Sequence, residues 1–215
     1  MAGRTLFIGD VHGCYHELVE LLERSGHRRE DRVVMLGDLV NKGPEVVRCL
    51  EFVWRSGFEC LLGNHEAHFL LHARSQPAYR AVWDRLDREL QRWLAGLPLY
   101  IDEPTFLAVH AGLRPGVPLH LQSREDLLNI RECKTGRAGE GERAPWYDFY
   151  DRSKPVIYGH WARQGLRLGE RTIGLDSGCV YGGKLSAWIL ETQTLVQVDA
   201  RRVYEIPGKQ KRGNP

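Results

Sequence analysis

The chain has 215 residues and a mass of 24.6 kDa, a length that fits one globular domain. Hydrophobic residues make up 42% and charged residues 27% of it, which is typical of soluble globular proteins and excludes a disordered or fibrous chain. The formal net charge of +2 excludes a global field that would attract nucleic acid or an anionic membrane. Any phosphate chemistry must therefore come from a local site.

The apolar runs and the cysteine spacing narrow the class of protein further. No stretch approaches the 18 consecutive apolar residues of a membrane span, and the first apolar run, residues 6–8, ends at Gly9 before a signal-peptide core forms. We therefore expect a cytoplasmic protein with no membrane partner. The five cysteines are scattered and form no C-x-x-C pair, which argues against a zinc ribbon and against a disulfide-linked partner. We expect free thiols, mostly in the core.

Alternating element types predict an α/β fold. Short β-branched runs predict buried strands at Thr5–Ile8, 32–36, 59–62, 106–109 and Val156–Tyr158. Amphipathic stretches predict helices at Tyr15–Arg24, 44–55 and 78–95. Beyond about residue 155 the pattern changes to successive strands, at 172–175, 185–190 and 195–198. An α/β first half and a strand-rich second half predict two sheets packed face to face with helices outside.

Composition also predicts the domain limits. We expect a single domain over residues 1–205, followed by a flexible tail over residues 206–215 that is basic and contains Gly and Pro. Residues 134–145 are rich in Gly and charge and poor in apolar side chains, which predicts a mobile surface loop.

Five strands in succession are each followed by an Asp, Asn or His. The segments are GDVHG at 9–13, GD at 37–38, GNHE at 63–66, HAG at 110–112 and GH at 159–160. Open α/β sheets bind ligands at the carboxyl ends of their strands, so these side chains are expected to meet. The recurrence yields six candidate metal ligands: Asp10, His12, Asp38, Asn64, His110 and His160.

Six oxygen and imidazole donors exceed what one tetrahedral ion uses, so the sequence predicts two divalent metals. Asp38 can bridge them because a carboxylate has two oxygens. The donor set contains no thiolate, which suits Mn, Fe, Zn or Co. Two ions about 3.5–4 Å apart hold a hydroxide as the nucleophile and stabilise the attacking and leaving oxygens of a phosphoryl transfer.

These blocks resemble the calcineurin-like metallophosphoesterases. GDVHG, GDLVNKGP, LLGNHE, VHAG and YGHWA occur in the family's order, over residues 6–190. Within the phosphoprotein phosphatase superfamily, the late block GLDSGCVYGG at 174–183 is similar to the symmetrical diadenosine tetraphosphatase branch and its ApaH-like relatives. The resemblance implies a four-layer α-β-β-α sandwich of two mixed sheets, with two divalent ions of which Mn²⁺ is the first choice and Fe, Zn, Co or Mg the others.

The resemblance also implies a role for each site residue. Asp10, His12 and Asp38 would hold the first metal, and Asp38, Asn64, His110 and His160 the second. His65 would be the general acid, and Lys42 and Arg131 would bind the substrate phosphate. One departure stands out: most relatives carry Asp-Arg where this chain has Asn41 and Lys42. The superfamily's Asp partners the general-acid His, so what orients His65 is left open.

The expected function is hydrolysis of a phosphoanhydride by a metal-bound hydroxide, in a dinucleoside polyphosphate such as diadenosine tetraphosphate. The 5′ end of nucleotide-capped RNA and polyphosphate are further candidate substrates. The alternative is a metal-dependent serine/threonine phosphoprotein phosphatase, whose substrate is a phosphoprotein. A non-catalytic phosphate sensor is a third hypothesis, but such proteins typically lose ligands and this chain lacks none of the six.

Other notable side chains have simpler interpretations. The pattern His65-Glu66-Ala67-His68 fails as a zinc protease motif because the second His comes one position too early. We expect His68 and His72 to be structural on an apolar helix face, and His16, His27 and His120 to be surface residues. Trp161 and Tyr181 are either packing residues or platforms for a substrate base.

Overall fold

The computed structural model describes residues 3–134 and 141–206. The strands are β1 (Thr5–Ile8), β2 (Arg32–Met35), β3 (Glu59–Cys60), β4 (Tyr100–Asp102), β5 (Leu107–Val109), β6 (Glu132–Lys134), β7 (Arg143–Pro145), β8 (Val156–Tyr158), β9 (Arg167–Leu168), β10 (Thr172–Gly174), β11 (Lys184–Ile189) and β12 (Thr194–Asp199). The helices are α1 (Tyr15–Arg24), α2 (Val46–Arg55), α3 (Asn64–His72), α4 (Pro77–Trp83), α5 (Arg88–Ala95) and α6 (Arg124–Asn129), and short 3₁₀ turns cover Leu119–Leu121, Trp146–Phe149 and Cys179–Tyr181.

The strands form two five-stranded mixed sheets and a two-stranded ribbon. The first sheet has the order β12-β11-β1-β2-β3, and β1, β2 and β3 are parallel. The second has the order β4-β5-β8-β10-β9, and β5, β8 and β10 are parallel. In both sheets the parallel strands are the ones followed by the candidate site residues. Each sheet therefore presents its polar strand ends at a single edge.

Alternation along the strands shows how the sheets pack. Phe7 of β1 and Val34 of β2 share one buried cluster with Ala108 of β5 and Ile157 of β8, so this cluster lies between the two sheets. Leu6, the neighbour of Phe7, points the other way into a cluster shared with helices α1, α2, α3 and α5. The outer face of the second sheet packs against α6 and the 3₁₀ turn Trp146–Phe149. The order of layers is helices, sheet, sheet, helices, which confirms the predicted sandwich.

Several predicted elements differ in detail. The helix predicted over 78–95 is two helices, α4 and α5, separated at residues 84–87. Asp87 begins α5 as an N-cap, because its carboxylate accepts hydrogen bonds from the backbone N–H groups of Glu89 and Leu90. Strand β3 ends at Cys60, two residues earlier than predicted, and the edge strand β4 was not predicted.

Only part of the loop predicted at 134–145 can be compared with the structure. Its two ends pair as antiparallel strands, Lys134 opposite Arg143, and this ribbon was not predicted. Residues 135–140 and 207–215, which include most of the predicted tail, lie outside the described residues. Where the chain is described, it contains no helix of the length and apolar character that a bilayer crossing requires. All five cysteines are free and buried, as expected.

Candidate active site

One cleft collects the strand ends of both sheets. It has a volume of about 1670 Å³, and its lining includes Asp10, His12, Asp38, Asn64, His65 and His160, together with Lys42 and Arg131. His110 lies fully buried at its floor and touches Asn64 and Asp38. The structure therefore brings all nine predicted site residues to one place, although Asp10 and His160 are 150 residues apart in sequence.

The imidazoles of His12 and His110 are held in a defined tautomer. Nδ1 of His12 lies 2.9 Å from the carbonyl oxygen of Val40, and Nδ1 of His110 lies 2.7 Å from that of Leu36. A carbonyl only accepts, so each Nδ1 must carry the hydrogen. Burial lowers the pKa of both rings, which are therefore neutral, and each Nε2 is left with a lone pair.

These lone pairs face other acceptors. Nε2 of His12 lies 3.6 Å from Oδ2 of Asp38, and Nε2 of His110 lies 3.5 Å from Oδ1 of the same carboxylate. Nε2 of His110 is also 2.9 Å from Oδ1 of Asn64, and Nδ1 of His160 is 3.0 Å from that oxygen. At His12 the ammonium of Lys42, 2.9 Å from Nε2, supplies a donor, whereas the lone pair of His110 faces only acceptor oxygens and is repelled by them unless a cation lies among them. The residues present fit divalent metal ions.

Asp38 lies at the centre of this arrangement. Two groups of potential metal ligands, each with its donor atoms within 4.8 Å of one another, can be drawn among the described residues. One consists of His12, Asp38 and His65, and the other of Asp38, His110 and His160. Asp38 belongs to both, as a bridging carboxylate would. Burial raises its pKa to about 7, partly opposed by a hydrogen bond from the backbone N–H of His65 and by the charge of Lys42.

Asp10 joins the site from the first strand. Its carboxylate accepts hydrogen bonds from the backbone N–H of His160, at 3.0 and 3.1 Å, so it ties the first sheet to the second. The glycine before His160 permits this contact, because a Cβ on Gly159 would lie 2.2 Å from Oδ1 of Asp10. Burial and the nearby Asp176 raise the pKa of Asp10 well above its ordinary value. Both effects favour a cation at this carboxylate.

Two carboxylates in the site were not assigned from the sequence. Glu66 is fully buried; Oε2 accepts hydrogen bonds from the backbone N–H groups of Asp38 and Gly63, and Oε1 accepts one from Val40. Asp176 is buried, lines the cleft two residues after β10, and accepts from the backbone N–H of Gly178. Glu66 lies in the block GNHE and Asp176 in the block GLDSG, and both blocks were recognised in the sequence. Their positions could therefore have marked them as site residues.

His65 is the second residue of α3 and lies beside Asp38. Its Nε2 lies 3.9 Å from Oδ2 of Asp38, and its Nδ1 lies 3.0 Å from Nδ2 of Asn41. An amide nitrogen only donates, so Nδ1 of His65 is the acceptor and Nε2, directed toward the cleft centre, carries the hydrogen. Asn41 thus occupies the position from which an Asp would accept. Burial, followed by the charge of Lys42, lowers the pKa of His65 to about 3.

Two cations, Lys42 and Arg131, line the cleft near these residues. Nζ of Lys42 lies 2.9 Å from Nε2 of His12 and 5.2 Å from the ring centre of Tyr181. Arg131 follows α6, is exposed, and lowers the pKa of both His65 and His160 as a secondary cause after burial. The overall charge balance does not reveal this local positive charge.

The other histidines lie outside the site. His16 and His120 are exposed and His27 is half-buried, close to the expectation for surface residues. His68 was expected on an apolar face but is exposed, and its ring contacts His72 and accepts or donates a hydrogen bond with the hydroxyl of Tyr79. The apolar face of α3 is instead formed by Phe69, since Leu71 is 75% exposed.

Comparison with known proteins agrees with this geometry. The sequence model of the calcineurin-like phosphoesterases matches residues 3–208. A symmetrical bis(5′-nucleosyl)-tetraphosphatase of Dechloromonas aromatica is 30% identical to this chain, over 95% of the chain and 99% of the relative. The enzyme of the same name from Aromatoleum aromaticum is 30% identical, over 90% and 96%.

Solved structures give the same result. A crystal structure of a protein provisionally named as a diadenosine tetraphosphatase superposes with a TM-score of 0.83 and 30% identity, covering 93% of this chain and 95% of that one. A serine/threonine phosphatase of Saccharomyces cerevisiae, at a TM-score of 0.62 and 17% identity, shares the fold. With a family match over nearly its whole length and the site residues gathered at the strand ends, the chain belongs to the calcineurin-like phosphoesterases and is a hydrolase of that family.

Proposed function

We propose that this hydrolase cleaves a phosphoanhydride bond of dinucleoside polyphosphates such as diadenosine tetraphosphate, with two divalent metal ions. The names of the relatives that match over most of their length support the substrate class. The observation that carries the metal pair is the carboxylate of Asp38, whose two oxygens each face a different neutral imidazole. A single bridging carboxylate between two donor groups is what a two-metal phosphohydrolase requires.

The proposed ligands divide between the two sites. Asp10, His12 and Asp38 hold one ion, and Asp38, Asn64, His110 and His160 hold the other. When bound, such ions supply positive charge to the transferring phosphoryl group and lower the pKa of a water molecule. Oxygen and imidazole donors without thiolate suit Mn, Fe, Zn or Co. Among these ions and Mg, the resemblance to the family makes Mn²⁺ the first choice.

The chain itself supplies the proton and the remaining charge. His65 directs Nε2 toward the centre of the cleft, and in the neutral ring the amide of Asn41 keeps the hydrogen on that nitrogen. To act as general acid the ring first takes up a second proton at Nδ1, to which the amide of Asn41 must then turn its oxygen. The imidazolium delivers its Nε2 proton to the leaving phosphate oxygen and keeps the hydrogen on Nδ1. Lys42 and Arg131 bind the negatively charged phosphoryl oxygens, which are more strongly charged in the transition state than in the bound substrate. The cytoplasmic location and capped RNA as a second substrate stay predictions.

Turnover on two substrates tests the proposal. We expect the Mn²⁺-loaded protein to hydrolyse diadenosine tetraphosphate much faster than a serine/threonine phosphopeptide. Asp38→Asn should reduce that rate by at least about 100-fold, because both donor groups lose their shared charge. Asp84→Asn is the matched control, since Asp84 is exposed at the C-cap of α4 and is not among the residues that line the cleft.

Two results would contradict the proposal. A faster rate on the phosphopeptide would assign the site to a phosphoprotein phosphatase. A near wild-type rate in Asp38→Asn would contradict the two-metal arrangement. Metal analysis of the purified protein, with activity restored to the metal-free protein by Mn²⁺, Co²⁺, Zn²⁺ or Mg²⁺ in turn, tests the choice of ion. Restoration by Mn²⁺ at lower concentration than by the other ions is the expected outcome.

A further inference from the structure

We propose that one wall of the cleft, formed by Tyr147, Trp161 and Arg163, is a nucleoside subsite. In this inference, which rests on the proposed function, the indole of Trp161 stacks with one base of the substrate and Arg163 pairs with a phosphate near it. We call these three residues the Trp161 wall. All three line the same cleft as the candidate ligands.

The Trp161 wall begins directly beside the catalytic centre. Trp161 follows the candidate ligand His160, so their Cα atoms are about 3.8 Å apart. The chain then turns tightly, since the N–H of Gln164 donates to the carbonyl of Trp161 at 2.9 Å, which keeps Arg163 at the same rim. A phosphate chain that leaves the metal site in this direction reaches the Trp161 wall at once.

The aromatic part of the wall is held rigidly from behind. The hydroxyl of Tyr147 accepts a hydrogen bond of 2.8 Å from Nε2 of Gln164, whose Oε1 lies 3.4 Å from the hydroxyl of Tyr158. The guanidinium of Arg167 lies 4.0 Å from the ring centre of Tyr147, and the ring of Trp161 lies 6.2 Å from it. A platform fixed before the ligand arrives loses little conformational entropy when a base stacks on it.

Trp161 itself retains free surface. It is only half-buried and borders the cleft, and within the described part of the chain Tyr147 is the one aromatic ring that it contacts. A core tryptophan looks different: Trp146 is fully buried against Tyr147, Tyr150 and Tyr158. A half-exposed indole in a cleft lined by cations is typical of a base-stacking site.

The charge of Arg163 is uncompensated, unlike that of two other arginines in the cleft. Arg114 pairs with Asp126 and Arg143 with Glu132, whereas among residues 3–134 and 141–206 no acidic side chain pairs with Arg163. Its guanidinium is therefore available to a phosphate, which it matches in geometry. The cleft volume of about 1670 Å³ also exceeds the roughly 300–1,000 Å³ of sites for one drug-sized ligand, which leaves room for a nucleoside beyond the reacting phosphate.

Binding of two small probes tests the inference without turnover. ADP and inorganic diphosphate carry the same number of phosphates, and only ADP has a base and a sugar. By titration calorimetry on the metal-loaded protein, we expect ADP to bind at least about tenfold more tightly than diphosphate, as stacking of a base implies. Trp161→Ala should remove that difference and Trp161→Phe should keep part of it, while Arg163→Gln should weaken both probes about threefold or more.

Controls and contrary outcomes separate this inference from the proposed function. Arg152→Gln is the matched control for charge, because Arg152 is exposed and outside the cleft lining. Equal affinity of the wild type for ADP and diphosphate, or an undiminished preference for ADP in Trp161→Ala, would overturn the subsite. If the wild type prefers ADP through Trp161 and yet does not cleave diadenosine tetraphosphate, the subsite stands and the proposed substrate is wrong.

Kinetics give a second readout in an active enzyme. With diadenosine tetraphosphate, Trp161→Ala should raise KM about tenfold and change kcat little, because the stacked base lies away from the bond that breaks. With tripolyphosphate, which has no base, the same variant should keep the wild-type KM. A fall in kcat on both substrates would instead show that Trp161 only supports His160, which would also overturn the inference.

Discussion

Single residues in the site adopt backbone conformations that side chains normally avoid. Among the described residues, six that are not glycine have a positive φ, and five of them are in the site: His12, Asp38, Asn41, Lys42 and His160. Such conformations cost about 1–3 kcal/mol each and persist only where the surroundings impose them. Here the surroundings include Glu66, which binds the backbone on both sides of the Asp38–Val40 turn. The sharp turns aim the side chains into the cleft.

The first prediction at this scale concerns the orientation of His65. Asn41→Gly removes the amide that donates to Nδ1 of His65, and glycine tolerates the φ of +69° at this position. We expect kcat to fall about tenfold, part of the 10²–10⁴-fold that a general acid contributes, because the ring loses its fixed tautomer. The melting temperature should stay unchanged or rise. Steady-state kinetics and thermal unfolding of the same preparations measure both quantities.

A matched glycine variant controls for the change in backbone entropy. Gln193 also has a positive φ, of +49°, but is exposed in the turn between β11 and β12. Gln193→Gly should leave kcat at the wild-type value. If Asn41→Gly also keeps the wild-type kcat, then Asn41 does not orient the general acid.

Some site residues were predicted from the sequence and others were not. The two groups differ in where their hydrogen-bond partners lie along the chain. Asp10, His12 and Asp38 stand beside glycines at predicted strand ends, so adjacent sequence was enough to select them. The role of Glu66 depends on N–H groups 26 and 28 residues away, and that of Asp176 on its approach to Asp10 across the two sheets. Single-sequence patterns carry no such distances, which is why the two buried carboxylates were recognised in blocks but given no role.

At the scale of elements, helix α3 is the most constrained piece of the site. Of its first residues, His65 and Glu66 exchange hydrogen bonds with Asp38 and Asn64 contacts His110 and His160, and Gly63 precedes them as the N-cap. A Cβ on Gly63 would lie 2.2 Å from Oδ1 and 2.5 Å from the backbone nitrogen of Asp38. Real side chains do not approach so closely, so the helix can begin here only with glycine.

The second prediction follows from that contact. Gly63→Ala should lower the free energy of unfolding by about 1–3 kcal/mol, as overpacked core positions do, and should also reduce activity by displacing Asp38. Gly96→Ala is the control, because a Cβ there meets its nearest neighbour at an ordinary 3.4 Å. Denaturant unfolding and turnover compare the two variants. Equal stability and activity in both would show that the approach of α3 to Asp38 is not tight.

The third prediction concerns the connection of β1 to the loop before β2. Asp31 accepts hydrogen bonds from the guanidinium and the backbone N–H of Arg4 and from the N–H of Arg28. Burial alone would raise the pKa of Asp31, but these bonds outweigh it and hold the pKa below its ordinary value. Asp31→Asn should therefore lower the free energy of unfolding at pH 7 by about 1.5–3 kcal/mol.

The pH dependence of that difference has a definite sign. Since the folded pKa of Asp31 is lowered, its stabilisation is present above the unfolded pKa of about 3.9 and is lost as the pH falls below that value. The gap between wild type and Asp31→Asn should be constant from pH 7 to about 5 and shrink toward pH 3. The exposed Asp84→Asn variant should show no such gap. A gap that grows in acid would contradict the argument.

Element boundaries show where sequence patterns lose information. The strands that carry the site were predicted because β-branched runs end at glycine or aspartate. The stretch predicted as a single helix, 78–95, keeps an apolar period through the break at residues 84–87. Asp87 was the available signal for a new helix start, but an aspartate in such a stretch is equally compatible with a solvated helix face. Tertiary packing of Leu86 and Leu90 decides between the two.

At the scale of the whole molecule, the site lies where the strand ends of the two sheets meet. The first sheet supplies Asp10, Asp38 and Asn64 and the second supplies His110 and His160, each from the carboxyl end of a parallel strand. The recurrence of polar residues after successive strands predicted this convergence. The sequence did not predict that the lone pair of His110 faces the side-chain oxygens of Asp38 and Asn64. That feature depends on a tautomer fixed by the carbonyl of Leu36, which no pattern in the sequence reveals.

The last prediction concerns how much metal binding at this site stabilises the folded protein. Ions that bind only the folded chain stabilise it by about 2.7 kcal/mol at 100 times their Kd, so saturating Mn²⁺ should raise the melting temperature of chelator-treated protein by about 5–10 °C. Asp38→Asn should lose most of that increment. The substitution should not unfold the metal-free protein. The side-chain amide oxygen at this position can still accept the hydrogen bond from the backbone N–H of His65, and the substitution removes a buried negative charge near Asp10. His120→Ala, at an exposed position, should keep the full increment. A full increment in Asp38→Asn would show that Mn²⁺ stabilises the protein from another site.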